Sequence, residues 1–319
     1  MKILVTGANG FVGKSLTAEL FGQGYTVQAA VRTKVAPIEK VETTIVGEVN
    51  GSTDWSQSLA GVSTVVHLAA RVHVMQDNST DPLAEFRAVN VRGTLNLARQ
   101  AAAAGVRRFV FLSSIKVNGE HTDLGSPFNA DQTPAPQDAY GISKHEAELG
   151  LRGIAAETGM QVVIIRPPLI YGAGVKANFA SLLRAVRRGV PLPLGLATLN
   201  RRSFVSLNNL VDFIITCIHH PNAANQTFLV SDNDDVSTAE LLRRMAVALG
   251  VPVRLIPVPL CVLEVGAKLL GKADVLQRLL GSLQVDNTKS KALLGWEPPF
   301  SVAEGLLATA QGMAELNHK

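Results

Sequence analysis

The sequence predicts an α/β chain: a doubly wound parallel sheet followed by a smaller, mostly helical C-terminal region. Three observations predict it. Short β-rich runs alternate with helical stretches through the first 170 or so residues, the pattern of strand–helix–strand units with right-handed crossovers. The runs are apolar throughout, as in Val162-Val163-Ile164-Ile165, which fits strands buried on both faces. Hydrophobic residues make up 47% but aromatics only 5%, a mix that suits helix-covered parallel strands better than a sandwich.

Taken in order, residues 3–6 read as a strand and 14–23 as a helix. Strands follow over 26–31, 43–47 and 64–69. Residues 81–104 read as one long helix, 108–113 as a fifth strand, and a Gly/Pro-rich loop runs to 138. A helix over 140–157 and a strand over 162–166 complete the regular pattern. Beyond it, helical segments and Pro-rich turns (Pro191, Pro193, Pro252, Pro257, Pro259) alternate less regularly. We therefore expect a first domain over 1–170 and a second region over 171–319. No linker separates them, so they should pack tightly and interleave. The apolar stretch 257–270 is broken by Glu264, Gly266 and Lys268 and reads as a buried or surface-docked helix. In an open α/β sheet the ligand lies at the carboxyl ends of the strands, here in a cleft beneath the second region.

Composition narrows the function. The 319 residues carry 30 Lys and Arg against 26 Asp and Glu, a formal charge of +4. With no long basic run, nucleic acid is not the expected partner, while a phosphorylated small molecule is compatible. Cys217 and Cys261 are too few for a disulfide framework, and the histidines lack metal-ligand spacing. No stretch reaches the roughly 18 apolar residues of a spanning helix, and the chain enters its first strand without a signal-type segment, so a reducing, cytoplasmic setting is expected.

The first strand runs into Thr6-Gly7-Ala8-Asn9-Gly10-Phe11-Val12-Gly13 and then a helix. Gly7, Gly10 and Gly13 permit a tight turn and close approach of a pyrophosphate, with Asn9, Phe11 and Val12 beside it, and the helix start supplies N–H groups and dipole. The spacing is GxxGxxG rather than GxGxxG. At the end of the second strand, where a carboxylate would hold a ribose 2′-OH, stands Arg32; the next acid is Glu39. An arginine suits a 2′-phosphate, so NADP(H) is favoured and NAD(H) is the alternative. Glu48 and Val49 are placed to flank an adenine, or Glu48 is simply a surface acid.

Tyr140-Gly141-Ile142-Ser143-Lys144 puts a tyrosine and a lysine four apart on one helix face. A phenol titrates near 10, too high for acid–base work at neutral pH, and a nearby ammonium favours its ionised form. Ser113-Ser114, at the carboxyl end of the fifth strand, supplies a hydroxyl for the reacting oxygen. His67 ends a buried strand and reads as a satisfied core histidine. Arg71 and His73 in the next loop either touch the ligand or are solvated.

These motifs, in this order, resemble the extended short-chain dehydrogenase/reductase family, in its nucleotide-sugar epimerase/dehydratase/reductase branch, on a Rossmann sheet. Val65-Val66-His67-Leu68-Ala69-Ala70, Asn90-Val91-Arg92-Gly93-Thr94, Arg166-Pro167-Pro168, Arg202-Ser203-Phe204-Val205 and Leu294-Gly295-Trp296 extend the resemblance over nearly the whole chain. It implies Ser114 as the catalytic hydroxyl and Tyr140 as the acid/base. Lys144 tunes Tyr140 and holds the nicotinamide ribose; Ala69, Ala70 and Pro167 line the cofactor channel. Arg202 meets the substrate diphosphate, and Leu194 lies near its base. Family members are often dimers, so a homodimer is a further expectation.

The departures carry information. Asn118 stands where the family has tyrosine, Leu169 where many have asparagine, and Asn208-Asn209 where two aspartates are usual. Ile115-Lys116 replaces the acidic pair of the dehydratases, so dehydration is not expected. Lys116 and Asn118 either face the sugar or are a solvated lysine and a turn residue. With Asn178 and Leu194 in their local motifs, they resemble reductases of UDP-4-keto-6-deoxy-N-acetylhexosamines. The leading expectation is an NADPH-dependent C4-ketone reductase. A UDP-sugar 4-epimerase with retained NAD is the alternative, and a non-catalytic NADP sensor the reading from another class.

Overall fold

The computed structural model describes residues 1–33, 41–72, 81–271 and 273–316. His73 and Glu39 lie outside them. Strands β1 (Lys2–Thr6), β2 (Thr26–Val31), β3 (Glu42–Ile45), β4 (Thr64–His67), β5 (Arg108–Leu112), β6 (Gln161–Arg166) and β9 (Thr227–Leu229) form one sheet in the order β3-β2-β1-β4-β5-β6-β9. Every pairing in it is parallel. A separate pair joins β7 (Leu169–Tyr171) to β8 (Phe204–Ser206). The strand order reverses between β1 and β4, and there the open sheet leaves a crevice at its carboxyl edge.

Alternation along the strands divides the core between two faces. Ile3, Val5, Val66, Val110, Val163 and Ile165 point to the side covered by α1 (Phe11–Gly22), with Leu16 and Leu20, and by a helix carrying Leu210, Phe213 and Ile214. Leu4, Val65, Phe109, Phe111, Val162 and Ile164 point to the other side. There they meet Trp55 and Leu59 beside the short α2 (Ser56–Leu59), Leu97 and Ala101, and Leu151 and Ile154. The stretch expected as one long helix is α3 (Pro82–Phe86), a π-helical segment over Arg87–Gly93, and α4 (Thr94–Ala103). The segment ends at Gly93, which packs so closely on Val49 that a Cβ there would meet Val49 Cγ1 at 2.8 Å. Helix α5 (Ala139–Thr158) is capped by Asp138 and stopped by Gly159, whose φ is +76°.

The rest of the chain contributes α6 (Ala177–Arg187), α7 (Leu207–His219), α8 (Thr238–Leu249), α9 (Leu260–Leu269), α10 (Ala273–Leu280), α11 (Thr288–Leu294) and α12 (Val302–Leu316). It is interwoven with the sheet: α7 is the helix that bears Leu210, Phe213 and Ile214, and β9 adds the seventh strand. Phe179, Leu183, Leu194, Leu242, Met245 and Leu306 form its own core. Helix α9, expected as buried or surface-docked, lies on the surface with none of its residues buried. No helix of the described residues is long and apolar enough to cross a membrane.

His67 ties the sheet's centre together. It is fully buried; Nδ1 pairs with Thr6 Oγ1 at 2.7 Å and Nε2 with Thr94 Oγ1 at 2.9 Å. It is the satisfied core histidine that its strand position predicts. Burial, with the Lys144 charge adding to it, pulls the ring down to about 3. The unfolded chain, titrating near 6.5, therefore takes up this proton first, and stability is lost as pH falls from about 6.5 toward 3. Between pH 7 and 5 this group should cost about 2 kcal/mol. Urea unfolding at the two pH values should show that loss in the wild type and a smaller one in His67→Gln.

Candidate active site

The glycine loop is a backbone-to-backbone contact. Gly7 has φ +66°, and a Cβ on it would meet Ala69 N at 2.9 Å; a Cβ on Gly13 would meet Gly7 O at 2.1 Å. Neither partner can move aside, so the turn requires glycine at both positions. Helix α1 begins at Gly10 with no side-chain cap, leaving its N–H groups directed into the crevice. Thr6 Oγ1 accepts from Leu68 N and Ala69 N, both at 3.2 Å, and so holds the opposite wall.

The crevice is a cleft of about 730 Å³. Its lining brings together every residue expected to touch a cofactor: Gly7, Asn9, Gly10, Phe11, Val12, Gly13, Arg32, Glu48, Val49, Ala69, Ala70, Tyr140, Lys144 and Pro167, with Ser114 at the inner end. An uncapped helix start over a glycine cradle that any Cβ would fill, continued by a long half-apolar cleft, fits a dinucleotide. Lys176 and Ala177 close the cleft from the second region.

Tyr140 and Lys144 sit on the first turns of α5. Lys144 is buried, donates to Leu112 O at 2.8 Å, and lies 4.4 Å from the Phe111 ring centre and 5.9 Å from that of Tyr140. Burial draws its ammonium down to about 7, against an upward pull from Glu148. Burial also pushes the Tyr140 phenol above its ordinary range; the Asp138 charge adds to this, and a hydrogen bond with Ser114 opposes it. Desolvation is the largest influence on the phenol and acts against the lowering expected from Lys144.

The residues expected at the substrate, Lys116, Asn118, Asn178, Leu194 and Arg202, are not among those that line this cleft. Asn118 is buried with both ends engaged: Nδ2 donates to Asn129 O and Oδ1 accepts from Arg166 Nη1, each at 2.9 Å. It is a strut under the site and not a substrate contact. Lys116 is held by Asp138 at 2.5 Å and Glu120 at 2.9 Å. Leu194 is buried in the C-terminal core, away from the cleft lining. Asn178 is exposed on the first turn of α6, next to the lining residue Ala177. Arg202 is half-buried outside the cleft lining, donates to Gly281 O at 3.0 Å and feels the charge of Glu120.

Four supporting residues had no role assigned from the sequence, Asn90 and Arg166 being named there only within motifs. Asn90, in the π-helical segment, exchanges hydrogen bonds with the Arg71 backbone and donates to Ser143 Oγ at 3.0 Å, joining the loop after β4 to α5. Asp138 caps α5 by accepting from Gly141 N at 2.7 Å; an acid just before an apolar helical pattern was the available signal. Glu148 and Arg166 form a buried ion pair, which only the fold brings together.

A family model described as the NAD dependent epimerase/dehydratase family matches residues 3–231. The chain belongs to that family. A relative named UDP-glucose 4-epimerase, from Vibrio cholerae, is 51% identical over 318 residues, covering 99% of this chain and 97% of its own. The family's fold is matched by the UDP-glucuronic acid 4-epimerase of Bacillus cereus in complex with NAD (TM-score 0.80, 20% identity, 99% of this chain and 97% of that one). The UDP-glucose 4-epimerase of Thermotoga maritima with UDP-glucose matches at TM-score 0.79 and 22% identity, covering 99% and 100%. Membership supports an NAD-dependent epimerase more than the expected NADPH reductase.

Gly13→Ala should lower NAD⁺ affinity by about 100-fold or more, since the added methyl displaces the phosphate turn itself. Calorimetric titration of the folded variant checks this.

Proposed function

We propose that this protein is a UDP-hexose 4-epimerase that retains NAD. The observation that carries the proposal is the 51% identity, across essentially both whole chains, to a relative named UDP-glucose 4-epimerase, together with Ser114, Tyr140 and Lys144 at one end of the cleft. Gly7, Gly10 and Gly13 would hold the pyrophosphate on the α1 N-terminus. Glu48 and Val49 would flank the adenine, Arg32 the adenosine ribose, and Ala69, Ala70 and Pro167 the channel. Arg202 would meet the substrate diphosphate.

A bound dinucleotide supplies the hydride acceptor and, when oxidised, a cationic ring. The chain supplies the proton path. Tyr140, desolvated and hydrogen-bonded to Ser114, takes the C4 hydroxyl proton and later returns it. Ser114 polarises the same oxygen. Lys144, near the Tyr140 ring and the Leu112 carbonyl, favours the phenolate whenever it is charged. One acid/base serving both directions suits a reaction with no net redox change.

One observation favours the reductase as the second reading: among the described residues, Arg32 directly follows the end of β2 at Val31 with no acid beside it. Denaturing the purified protein and identifying the released nucleotide separates the two. Near-stoichiometric NAD⁺, with interconversion of UDP-glucose and UDP-galactose, supports the epimerase. An empty protein that prefers NADPH and reduces a 4-keto sugar overturns it. Tyr140→Phe should lower turnover by about 100- to 10,000-fold while leaving nucleotide content unchanged.

A further inference from the structure

We propose that Lys116 is a positioning residue for proton transfer: it offsets the charge of the carboxylate that caps α5 two residues before Tyr140. The inference rests on the assignment of Tyr140 as the proton carrier.

Asp138 does two opposed things. Its Oδ1 accepts from Gly141 N at 2.7 Å and stabilises the start of α5, where a negative charge is favourable. That same charge lies close to the phenol and opposes its ionisation. A serine or asparagine cap would avoid the conflict. This chain instead brings a cation to the other carboxylate oxygen: Lys116 Nζ lies 2.5 Å from Asp138 Oδ2. The approach is built into the backbone, because the turn that carries Lys116 packs against the helix start; a Cβ on Gly141 would meet Lys116 O at 2.8 Å. Glu120 accepts from the same ammonium at 2.9 Å and acts in turn on Arg202. The charges thus alternate from Asp138 through Lys116 and Glu120 to Arg202. Burial disfavours the Lys116 cation, but its two carboxylate partners outweigh that and hold it protonated.

The other groups around Tyr140 do not take this role. Lys144, on its own helix, is drawn toward neutrality by burial. Ser114, after β5, is an uncharged hydroxyl. From α3 comes the Phe86 ring, 6.0 Å away, with Arg71 stacked on its face and Glu85 beyond, 3.9 Å from Arg71. His67, from β4, is held neutral in the core, and Glu148 is paired with Arg166.

The chain has three tyrosines, so the ionisation can be observed directly. Tyr171 donates to buried Asp232 and keeps its proton far above the ordinary range. Subtracting Tyr140→Phe removes Tyr25. Near-ultraviolet tyrosinate absorbance would be followed against pH with saturating NAD⁺, beside the pH profile of kcat. Lys116→Met should move the Tyr140 titration up by about one pH unit, with the acidic limb of kcat following and KM unchanged. Lys116→Arg should restore it. Asp138→Asn, which keeps a capping side chain, should move it down and, combined with Lys116→Met, return it to the wild-type position or below. A titration unmoved by Lys116→Met, or a double variant that stays shifted, overturns the proposal. So does a raised KM with an unchanged profile, which makes Lys116 a substrate contact. The titration needs no turnover, so a wrong substrate assignment leaves it intact. A fully active Tyr140→Phe would instead refute the role of Tyr140.

Discussion

The reactive end of the cleft depends on one buried ion pair, Arg166 with Glu148. The two side chains are 3% and 1% exposed, and isolating either charge there would be strongly unfavourable. Neither is isolated. Arg166 Nε and Nη2 reach the two Glu148 oxygens at 2.9 and 2.5 Å, Nη1 reaches Asn118, and Ser113 donates to Oε1 at 2.5 Å. The network therefore fastens α5 to the ends of β5 and β6 and to the turn that follows β5. Glu148, Lys144 and Tyr140 share one helix face at intervals of four, so fixing the first sets the height of the other two against the strand ends. Sliding α5 by a turn would break every bond that Glu148 makes to Arg166 and Ser113.

The chemistry inherits both a benefit and a difficulty from this rigidity. Lys144 is buried, and Tyr140 and Ser114 stand half-buried on the cleft wall beside it, where partial burial strengthens each electrostatic interaction among them. It also disfavours the charged forms of both the phenol and the ammonium. A site of this kind is incomplete as a proton-transfer device until charge is added beside it. The fold meets that need by placing cations and carboxylates in alternation around the start of α5, and by leaving the long cleft next to the phenol open.

Much of this was legible in the sequence, and the exceptions have physical causes. Strand β2 runs over the residues that its apolar run predicts, because a strand buried on both faces leaves no ambiguity of period. The glycines at 7 and 13 declare themselves because only backbone meets backbone there. The long helix over 81–104 was readable as helical but not as π-helical at its centre, since its apolar pattern does not distinguish the two turns. Asn118 and Lys116 were left between two readings for the same reason: a polar residue near the strand-end serines looks the same whether its partners are substrate or protein. Their partners, Arg166 and Asp138, lie 48 and 22 residues away. Nothing local announces them.

The seventh strand has a consequence for how the chain is made. Strand β6 ends at Arg166, but its outer neighbour β9 is Thr227–Leu229. During synthesis the residues through β6 emerge with the whole glycine loop and α5, yet with an unpaired apolar edge. That edge stays open while about 60 more residues leave the ribosome. Helix α7, which seals one face of the sheet, arrives in the same interval. The residues of the glycine loop thus precede by a long stretch of chain the strand and helix that protect the sheet, and over that interval an exposed apolar edge is open to mispairing.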